Sequence, residues 1–221
     1  MAYNPSIYIN WTLIEKFELS DKALITYVAI LKTYQLTQCQ GLNVLNMLKN
    51  LFGPKAEKTK IIRQGLEELI EKEVISVSYQ DKSSLFYDIT PLAEYERLCF
   101  IIEDLSFFKK YEDLSSEVCG LYRLYLYIKT RVAQWERYKK GPIFKTFKSS
   151  LATTMKCSSQ IIGRRLKNLE DHDLIIYEDY SDLPFLVRKK TETLFVTLPK
   201  FKGELLPVVE SVIPAKYLKT V

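Results

Sequence analysis

Residues 151–175 read LATTMKCSSQIIGRRLKNLEDHDLI, and this stretch decides the fold. A short helical segment leads through a turn to Ser158, a residue type that caps the first free N–H groups of a helix. In the helix that follows, Ile162, Leu166 and Leu169 are spaced four and three residues apart, so they lie on one face. The stretch therefore predicts two helices joined by a turn, the second with an apolar side and a polar side.

A diverged copy of this stretch lies 100 residues earlier in the chain. Residues 59–75 and 159–175 align without a gap, and five apolar positions are identical. These pairs are Ile61/Ile161, Ile62/Ile162, Leu66/Leu166, Leu69/Leu169 and Ile75/Ile175. Because any two amphipathic helices can match by chance, the flanking segments decide whether the repeat is real.

The segments around the two copies also correspond. A helix with an apolar stripe precedes each copy, beginning at residues 19–23 in the first and 114–117 in the second. A shorter helical segment follows, over residues 44–52 and 147–155. The repeated order argues against a chance match of the long helices.

Each copy ends in a pattern that predicts a β-hairpin. Residues 75–79 alternate apolar and polar side chains, a polar turn follows, and residues 85–89 return as a second strand. In the second copy the predicted strands are 175–177 and 194–198, joined by a longer polar loop. Each unit is thus expected to hold three helices over one small core, closed by a hairpin.

This order of elements resembles the winged helix-turn-helix family, present twice in one chain. Residues 151–175 carry the resemblance: helix two, a tight turn, a Ser cap, a recognition helix and the start of the wing. Lys156 departs from the Gly often found in that turn, and residues 53–58 stretch the turn of the first copy. The resemblance implies a mainly α (α+β) fold of two winged-helix domains joined by a linker helix.

We expect an N-terminal winged-helix domain over residues 1–92, a linker helix over 93–113, and a C-terminal winged-helix domain with a tail over 114–221. The predicted linker has an apolar stripe, which favours packing between the two domains over a helix that forms a dimer. The tail is expected to dock as a short apolar helix around residues 205–212.

The charge is uneven along the chain, although the net charge is only +5. Residues 1–92 carry 10 basic and 10 acidic side chains, whereas residues 114–221 carry 19 basic and 11 acidic ones, a net charge of +8. A basic C-terminal half attracts polyanions. The alternative is a solvated basic surface with no partner.

The polar side of the second long helix supplies candidate contacts to DNA bases. Its members follow the cap Ser158 and share one outward face; they are Ser159, Gln160, Gly163, Arg164 and Lys167. Arg164 has the forked donor that reads guanine, and Gln160 has the amide that reads adenine. Gly163 costs the helix about 1 kcal/mol, which favours a close approach of DNA at that position. The alternative is a solvated helix face.

Basic residues around this helix are candidates for phosphate contacts, which supply affinity but little sequence information. They lie at the start of helix two, in the turn and in the predicted wing. They are Lys145, Lys148, Lys156, Arg188, Lys189 and Lys190. For residues 188–190 the alternative is an edge strand protected by charge.

The first copy is a weaker candidate for DNA contact. Its candidate residues are Lys58, Thr59, Lys60 and Arg63, but Glu67, Glu68, Glu71 and Glu73 follow closely. DNA contact through the N-terminal half of this helix is one interpretation. The other is that this copy binds protein, with a homodimer formed through the N-terminal domain or the linker helix.

Several classes of protein are disfavoured by the sequence. No apolar run is long enough to span a membrane, and the N-terminus lacks the features of a signal peptide. Four scattered cysteines without a CxxC pair are typical of reduced thiols, so we expect a cytoplasmic protein. With one histidine and none of the common nucleotide-binding or hydrolase motifs, we expect no metal, no cofactor and no enzymatic activity.

The function that we expect is sequence-specific binding of double-stranded DNA. Two winged helices in a chain of this length are similar to plasmid and phage replication initiators. That resemblance implies that the second unit reads repeated origin sites and that the first aids DNA contact or dimerisation. A transcriptional regulator and a winged-helix protein–protein scaffold in chromosome or plasmid segregation are the alternatives, and the net charge of +8 argues against the scaffold.

Overall fold

Helices and short antiparallel strands make up the described part of the chain, which falls into two compact units. The computed structural model describes residues 7–37, 41–52, 59–81, 86–91, 100–103, 106–111, 113–138, 140–183, 186 and 191–218. The first unit is Met1–Arg123 and the second is Leu124–Val221. The chain is mainly helical with small antiparallel sheets, which confirms the predicted fold class at that level.

The first unit opens with a strand and a short helix, and its longest helix follows. Its helices are α1 (Trp11–Lys16), α2 (Asp21–Thr37), α3 (Val44–Phe52) and α4 (Thr59–Glu71). Its strands are β1 (Ile7–Asn10), β2 (Gly41–Asn43), β3 (Ile75–Asp81), β4 (Phe86–Pro91) and β5 (Phe100–Glu103). A 3-10 turn, Phe107–Lys109, comes after β5.

The second unit begins within a long helix whose start belongs to the first unit. Its helices are α5 (Ser116–Arg137), α6 (Lys148–Thr154), α7 (Ser159–Asp171) and α8 (Lys202–Glu210). Its strands are β6 (Phe144–Thr146), β7 (Ile176–Asp179) and β8 (Leu194–Thr197). The division between the units falls inside α5.

Each unit contains a three-stranded antiparallel sheet of the same topology. The strand order is β2-β4-β3 in the first and β6-β8-β7 in the second, so the middle strand is the last in sequence. The β3–β4 and β7–β8 pairs are the two hairpins predicted from the sequence. The third strand of each sheet, β2 or β6, is three residues long and was not predicted.

The two long repeated helices also end in the same way. Glu73 and Asp173 follow α4 and α7, and both adopt a φ of +54°, in the left-handed region. The next backbone N–H groups, of Val74 and Leu174, donate to the carbonyl oxygens of Leu69 and Leu169 over 3.0 Å and 2.9 Å. These two bonds close the helix C-termini by the same turn. The repeat is therefore present in the backbone as well as in the sequence.

Serine residues cap the N-termini of α2, α5 and α7. Ser158 is extended and its hydroxyl accepts from the Ile161 N–H over 3.2 Å, as predicted. Ser20 and Ser115 do the same for the N–H groups of Ala23 and Val118, each over 3.2 Å. Each cap satisfies one of the free donors at a helix start.

The predicted linker helix over residues 93–113 is wrong in the parts that the structure describes. Phe100–Glu103 is a strand that pairs antiparallel with β1, with Ile101 opposite Ile9. The following 3-10 turn buries Phe107 and Phe108, and their rings lie 5.0 Å and 4.6 Å from the ring of Tyr122. Backbone pairing with β1 and a cluster of buried aromatic rings therefore take the place of the predicted helix in residues 100–103 and 106–111.

The start of α5 is held to the first unit. Arg123 donates hydrogen bonds to the carboxylate of Asp21 and to the carbonyl oxygen of Leu19, at the start of α2. The segment before α5 belongs to the same unit, so it is not a linker between the two units.

The C-terminal helix agrees with the prediction for residues 205–212. In α8 the side chains of Leu205 and Val209 are buried in one cluster with Phe195 of β8. The adjacent side chains of β8, Leu194 and Val196, are buried as well, so both faces of this strand are covered. The tail thus packs against one face of β8.

Candidate nucleic-acid interface

A tight turn positions α7 after α6. Lys156 in this turn has a φ of +51°, a conformation that glycine adopts without strain and other residues do not. The N–H of Cys157 donates to the carbonyl oxygen of Ala152 over 3.0 Å, which ties the turn back to α6. The chain then reaches Ser158 and enters α7. Lys156 thus adopts, with a charged side chain, the turn conformation that favours glycine.

The two sides of α7 face as the sequence predicted. Ile162, Leu166 and Leu169 are buried in the core of the second unit. The exposed residues are Ser158, Ser159, Gln160, Arg164 and Lys167, with Gly163 half-buried between them. A polar, partly cationic strip therefore runs along the outer side of α7; we call these six residues the α7 strip.

Arg165 differs from its neighbour Arg164. It is only 9% exposed, so adjacent arginines divide between the interior and the surface. Sequence reasoning assigned no role to Arg165. Its counterpart in the repeat, Gly65, is buried in α4. The alignment of the two copies could therefore have indicated that Arg165 is buried.

The charge of α7 suits a polyanion. Residues 156–168 contain four basic side chains and no acidic one. The N-terminus of a helix also carries a partial positive charge. By contrast, α4 contains two basic and three acidic residues. Over its full length, Ser159–Asp171, α7 has three basic and two acidic residues, and both acidic ones lie at its C-terminal end. The net charge is therefore +1 for α7 and −1 for α4.

Lys148, a predicted phosphate contact, forms an ion pair within the protein. It begins α6, and its ammonium group contacts Oδ2 of Asp179 at the end of β7. The other carboxylate oxygen of Asp179 accepts from the N–H of Ser181 over 3.0 Å and from the Ser181 hydroxyl. Burial acts to raise the pKa of Asp179, but the hydrogen bonds from Lys148 and Ser181 outweigh it and hold the pKa below its usual value.

The remaining predicted phosphate contacts of the second unit are only partly described. Lys145 lies in β6, half-buried and opposite Phe195 in the strand register. Lys156 is exposed in the turn before α7. Arg188, Lys189 and Lys190 lie outside the described residues, between Leu186 and β8.

The predicted contacts of the first unit lie at the start of α4. Lys60 and Arg63 are exposed and Thr59 is half-buried, whereas Lys58 lies outside the described residues. Gln64, which follows Arg63, is half-buried and accepts a hydrogen bond from Lys22 of α2 over 2.7 Å. The outward face of α4 is thus narrower than its sequence indicated.

Part of the acidic half of α4 has a structural role. Glu68 accepts hydrogen bonds from the N–H of Ser20, over 2.8 Å, and from the Ser20 hydroxyl. It also pairs with Lys72 over 3.0 Å, and Lys72 donates to the carbonyl oxygen of Glu18 over 2.8 Å. Burial acts to raise the pKa of Glu68, but the bonds from Ser20 and Lys72 lower it overall. This acidic side chain fixes α4 to the start of α2.

Comparison of the chain with protein-family models, curated proteins and solved structures gives no match. Within the described residues, no helix is both long enough and apolar enough to cross a membrane. The same part of the chain contains no group of three or more His, Cys, Asp or Glu side chains placed to hold a metal ion.

Proposed function

We propose that this chain binds double-stranded DNA sequence-specifically through two winged helix-turn-helix units, with α7 as the recognition helix of the second. The observation that carries the proposal is the division of α7 into a buried apolar side and the exposed α7 strip. The shared order of helices and strands in the two units supports the winged-helix assignment.

The α7 strip has the chemistry for reading base edges. The major groove of B-DNA, about 12 Å wide, admits one α-helix. Arg164 would donate its two parallel N–H groups to O6 and N7 of a guanine, and Gln160 would pair with N6 and N7 of an adenine. Gly163 lies between them in sequence and leaves the helix surface low there. Recognition of a G and an A on neighbouring steps is the expected result.

Phosphate contacts come from the residues that flank α7. Ser158 is exposed at the start of α7, and a helix N-terminus is a common phosphate site. Lys145, Lys156 and residues 188–190 add cationic side chains in the same unit. Each lysine or arginine that neutralises a phosphate adds about 0.9 to the salt dependence of log affinity.

The first unit contributes through Lys58, Thr59, Lys60 and Arg63, at the N-terminal end of α4. Because Glu68 is engaged with Ser20, the acidic half of α4 is anchored to its own unit. A supporting role in DNA contact, or dimerisation with a second copy of the chain, suits a helix of this mixed charge.

The biological role that we propose is initiation of plasmid or phage replication at repeated origin sites. Tandem DNA-binding units in one chain support it, and so does the resemblance to such initiators. A transcriptional regulator would share the fold and the DNA chemistry. A protein–protein scaffold for segregation would not need four basic residues and no acidic one over residues 156–168.

Selection of binding sites from a pool of random duplexes tests the proposal. We expect enrichment of one motif that contains a G and an A on adjacent steps. Enrichment of the motif as direct repeats supports an initiator, and enrichment as a palindrome supports a regulator. A pool that shows no enrichment, together with equal affinity for all duplexes in titrations at physiological salt, would overturn sequence-specific recognition.

A further inference from the structure

We propose that Lys148 is a positioning residue that sets the placement of α7 for sequence recognition, and that it does not contact phosphate. This inference rests on the proposed function of α7. It assigns Lys148 a role different from the one that its position at the start of helix two indicates.

The geometry places one side chain among three elements. Lys148 belongs to α6, its ammonium group binds Asp179 of β7, and its end lies beside Gly163 of α7. A Cβ atom added at residue 163 would lie 3.8 Å from Lys148 Nζ and 3.9 Å from its Cε, so the end of Lys148 is close to this part of α7. Lys148 therefore joins α6 to the base of the hairpin, next to the middle of α7.

The partner of Lys148 is itself fixed. One carboxylate oxygen of Asp179 binds Lys148 and the other accepts two hydrogen bonds from Ser181. Because both oxygens are engaged, the carboxylate has a defined orientation and holds the ammonium group in place. The Lys148 and Asp179 side chains are only 26% and 16% exposed, so solvent screens this pair less than a surface pair.

This pairing makes Lys148 a poor phosphate ligand. A phosphate would have to compete with a carboxylate that already neutralises the ammonium group, and releasing it would leave Asp179 negative beside the DNA. Lys156 is exposed in the turn and is one of the proposed phosphate contacts. The two lysines, eight positions apart in sequence, therefore have different expected effects on DNA binding.

The location of the contact explains how it would affect specificity. Gly163 lies three residues after Gln160 and one before Arg164, the two candidate base-reading residues. Loss of the ion pair with Asp179 would release the end of Lys148 from its place beside Gly163 and let α7 shift against β7. A shift of this kind weakens hydrogen bonds to base edges, which are directional, more than contacts to phosphate, which are not.

The test uses the full chain and two labelled duplexes, one with the motif enriched from the random pool and one with that motif shuffled. Affinities for both are measured over a range of salt concentrations for the wild type, Lys148→Ala, Lys148→Arg and Asp179→Asn. Lys156→Ala is the matched control for a lysine that contacts phosphate. Lys148→Met, which keeps most of the aliphatic chain, replaces Lys148→Ala if that variant does not fold.

We expect Lys148→Ala and Asp179→Asn each to reduce the ratio of affinities for the two duplexes about tenfold, within the range of one base contact. The salt slope should stay at the wild-type value, and Lys148→Arg should restore the ratio. In Lys156→Ala, by contrast, the slope should fall by about 0.9 with the ratio unchanged.

A fall of the slope in Lys148→Ala, or a rise in affinity for both duplexes with the ratio intact in Asp179→Asn, would overturn the positioning role. If the wild type itself does not distinguish the two duplexes, the proposed function falls and this inference falls with it.

Discussion

Gly65 of α4 lies so close to Thr26 of α2 that a Cβ atom at residue 65 would be 2.1 Å from Thr26 Oγ1. The same Cβ would be 2.6 Å from the carbonyl oxygen of Lys22, which is backbone and cannot rotate away. Thr26 in turn donates to that carbonyl oxygen over 2.8 Å. The approach of the two helices in the first unit therefore depends on the missing side chain.

The first prediction is that Gly65→Ala destabilises the protein. Alanine favours the helix by about 1 kcal/mol, but separating α2 from α4 costs more, because overpacking of a core costs about 1–3 kcal/mol and occasionally exceeds that. We expect a net loss of about 1–2 kcal/mol in the free energy of unfolding. Urea denaturation followed by circular dichroism measures it. A variant as stable as the wild type would show that the helices separate without cost.

Gly163→Ala should have the opposite effect on stability. The nearest atom outside its own helix would be 3.8 Å away, so alanine fits and stabilises α7 by about 1 kcal/mol. Binding to the selected duplex should nevertheless weaken by about 1 kcal/mol or more, because the added methyl group meets the DNA. Titration of the same preparation used for denaturation separates the two effects. Unchanged affinity would mean that DNA does not approach α7 at this residue.

Adjacent arginines should have separable effects on binding and stability. Arg164→Ala removes an exposed member of the α7 strip, so binding should weaken by about 1–3 kcal/mol with relaxed preference at one base. Its unfolding free energy should change by less than about 0.5 kcal/mol. Arg165→Ala removes a buried side chain and should lower stability by about 1–3 kcal/mol. Gel-shift titrations and thermal melts of both variants check this, and an exchange of the two phenotypes would reverse the assigned orientation of α7.

Much of the fold could be predicted from the sequence, because the deciding patterns are local. The apolar spacing of α4 and α7 and the strand patterns of both hairpins each extend over a few residues, and the structure confirms them. The strands β2 and β6 could not be found in this way. Each has three residues and exists through pairing with a distant strand, as Leu42 lies opposite Tyr87 and Lys145 opposite Phe195.

The candidate site shows the same division between local and distant contacts. The exposure of Gln160 and Arg164 follows from the helical period alone. The pairing of Lys148 with Asp179 joins residues 31 positions apart, and no local pattern indicates it. The prediction of a linker helix before α5 was wrong for a related reason. Adjacent apolar residues such as Ile101 and Ile102 are compatible with a strand as well as with a helix.

Glu68 predicts a pH dependence of stability. Its folded pKa lies below its usual value of 4.5, so its bonds to Ser20 and Lys72 stabilise the fold above that pH. The contribution is lost as the pH falls through the lowered pKa, because the unfolded chain then binds the proton more readily. Glu68→Gln should therefore lower the urea midpoint at neutral pH and have less effect in acid. Exposed Glu67→Gln is the control and should change neither midpoint appreciably; equal effects of Glu68→Gln at both pH values would contradict the assigned bonds.

Lys156 combines backbone strain with a charge that we propose contacts DNA, and the two can be separated by substitution. Its φ of +51° costs a residue with a Cβ atom about 1–2 kcal/mol relative to glycine. Lys156→Gly should therefore raise the unfolding free energy by about 1 kcal/mol and lower the salt slope of duplex binding by about 0.9. Lys156→Arg keeps both the strain and the charge, so it should match the wild type in both measurements. Lys156→Ala keeps the strain without the charge, so its slope should fall with no gain in stability.

Because the three variants share one backbone position, a slope that stays constant in all of them would exclude phosphate contact at this turn. A gain in stability for glycine alone would still identify the turn as strained. That pattern of results would mean that the turn serves the fold while the DNA backbone is held elsewhere in the second unit.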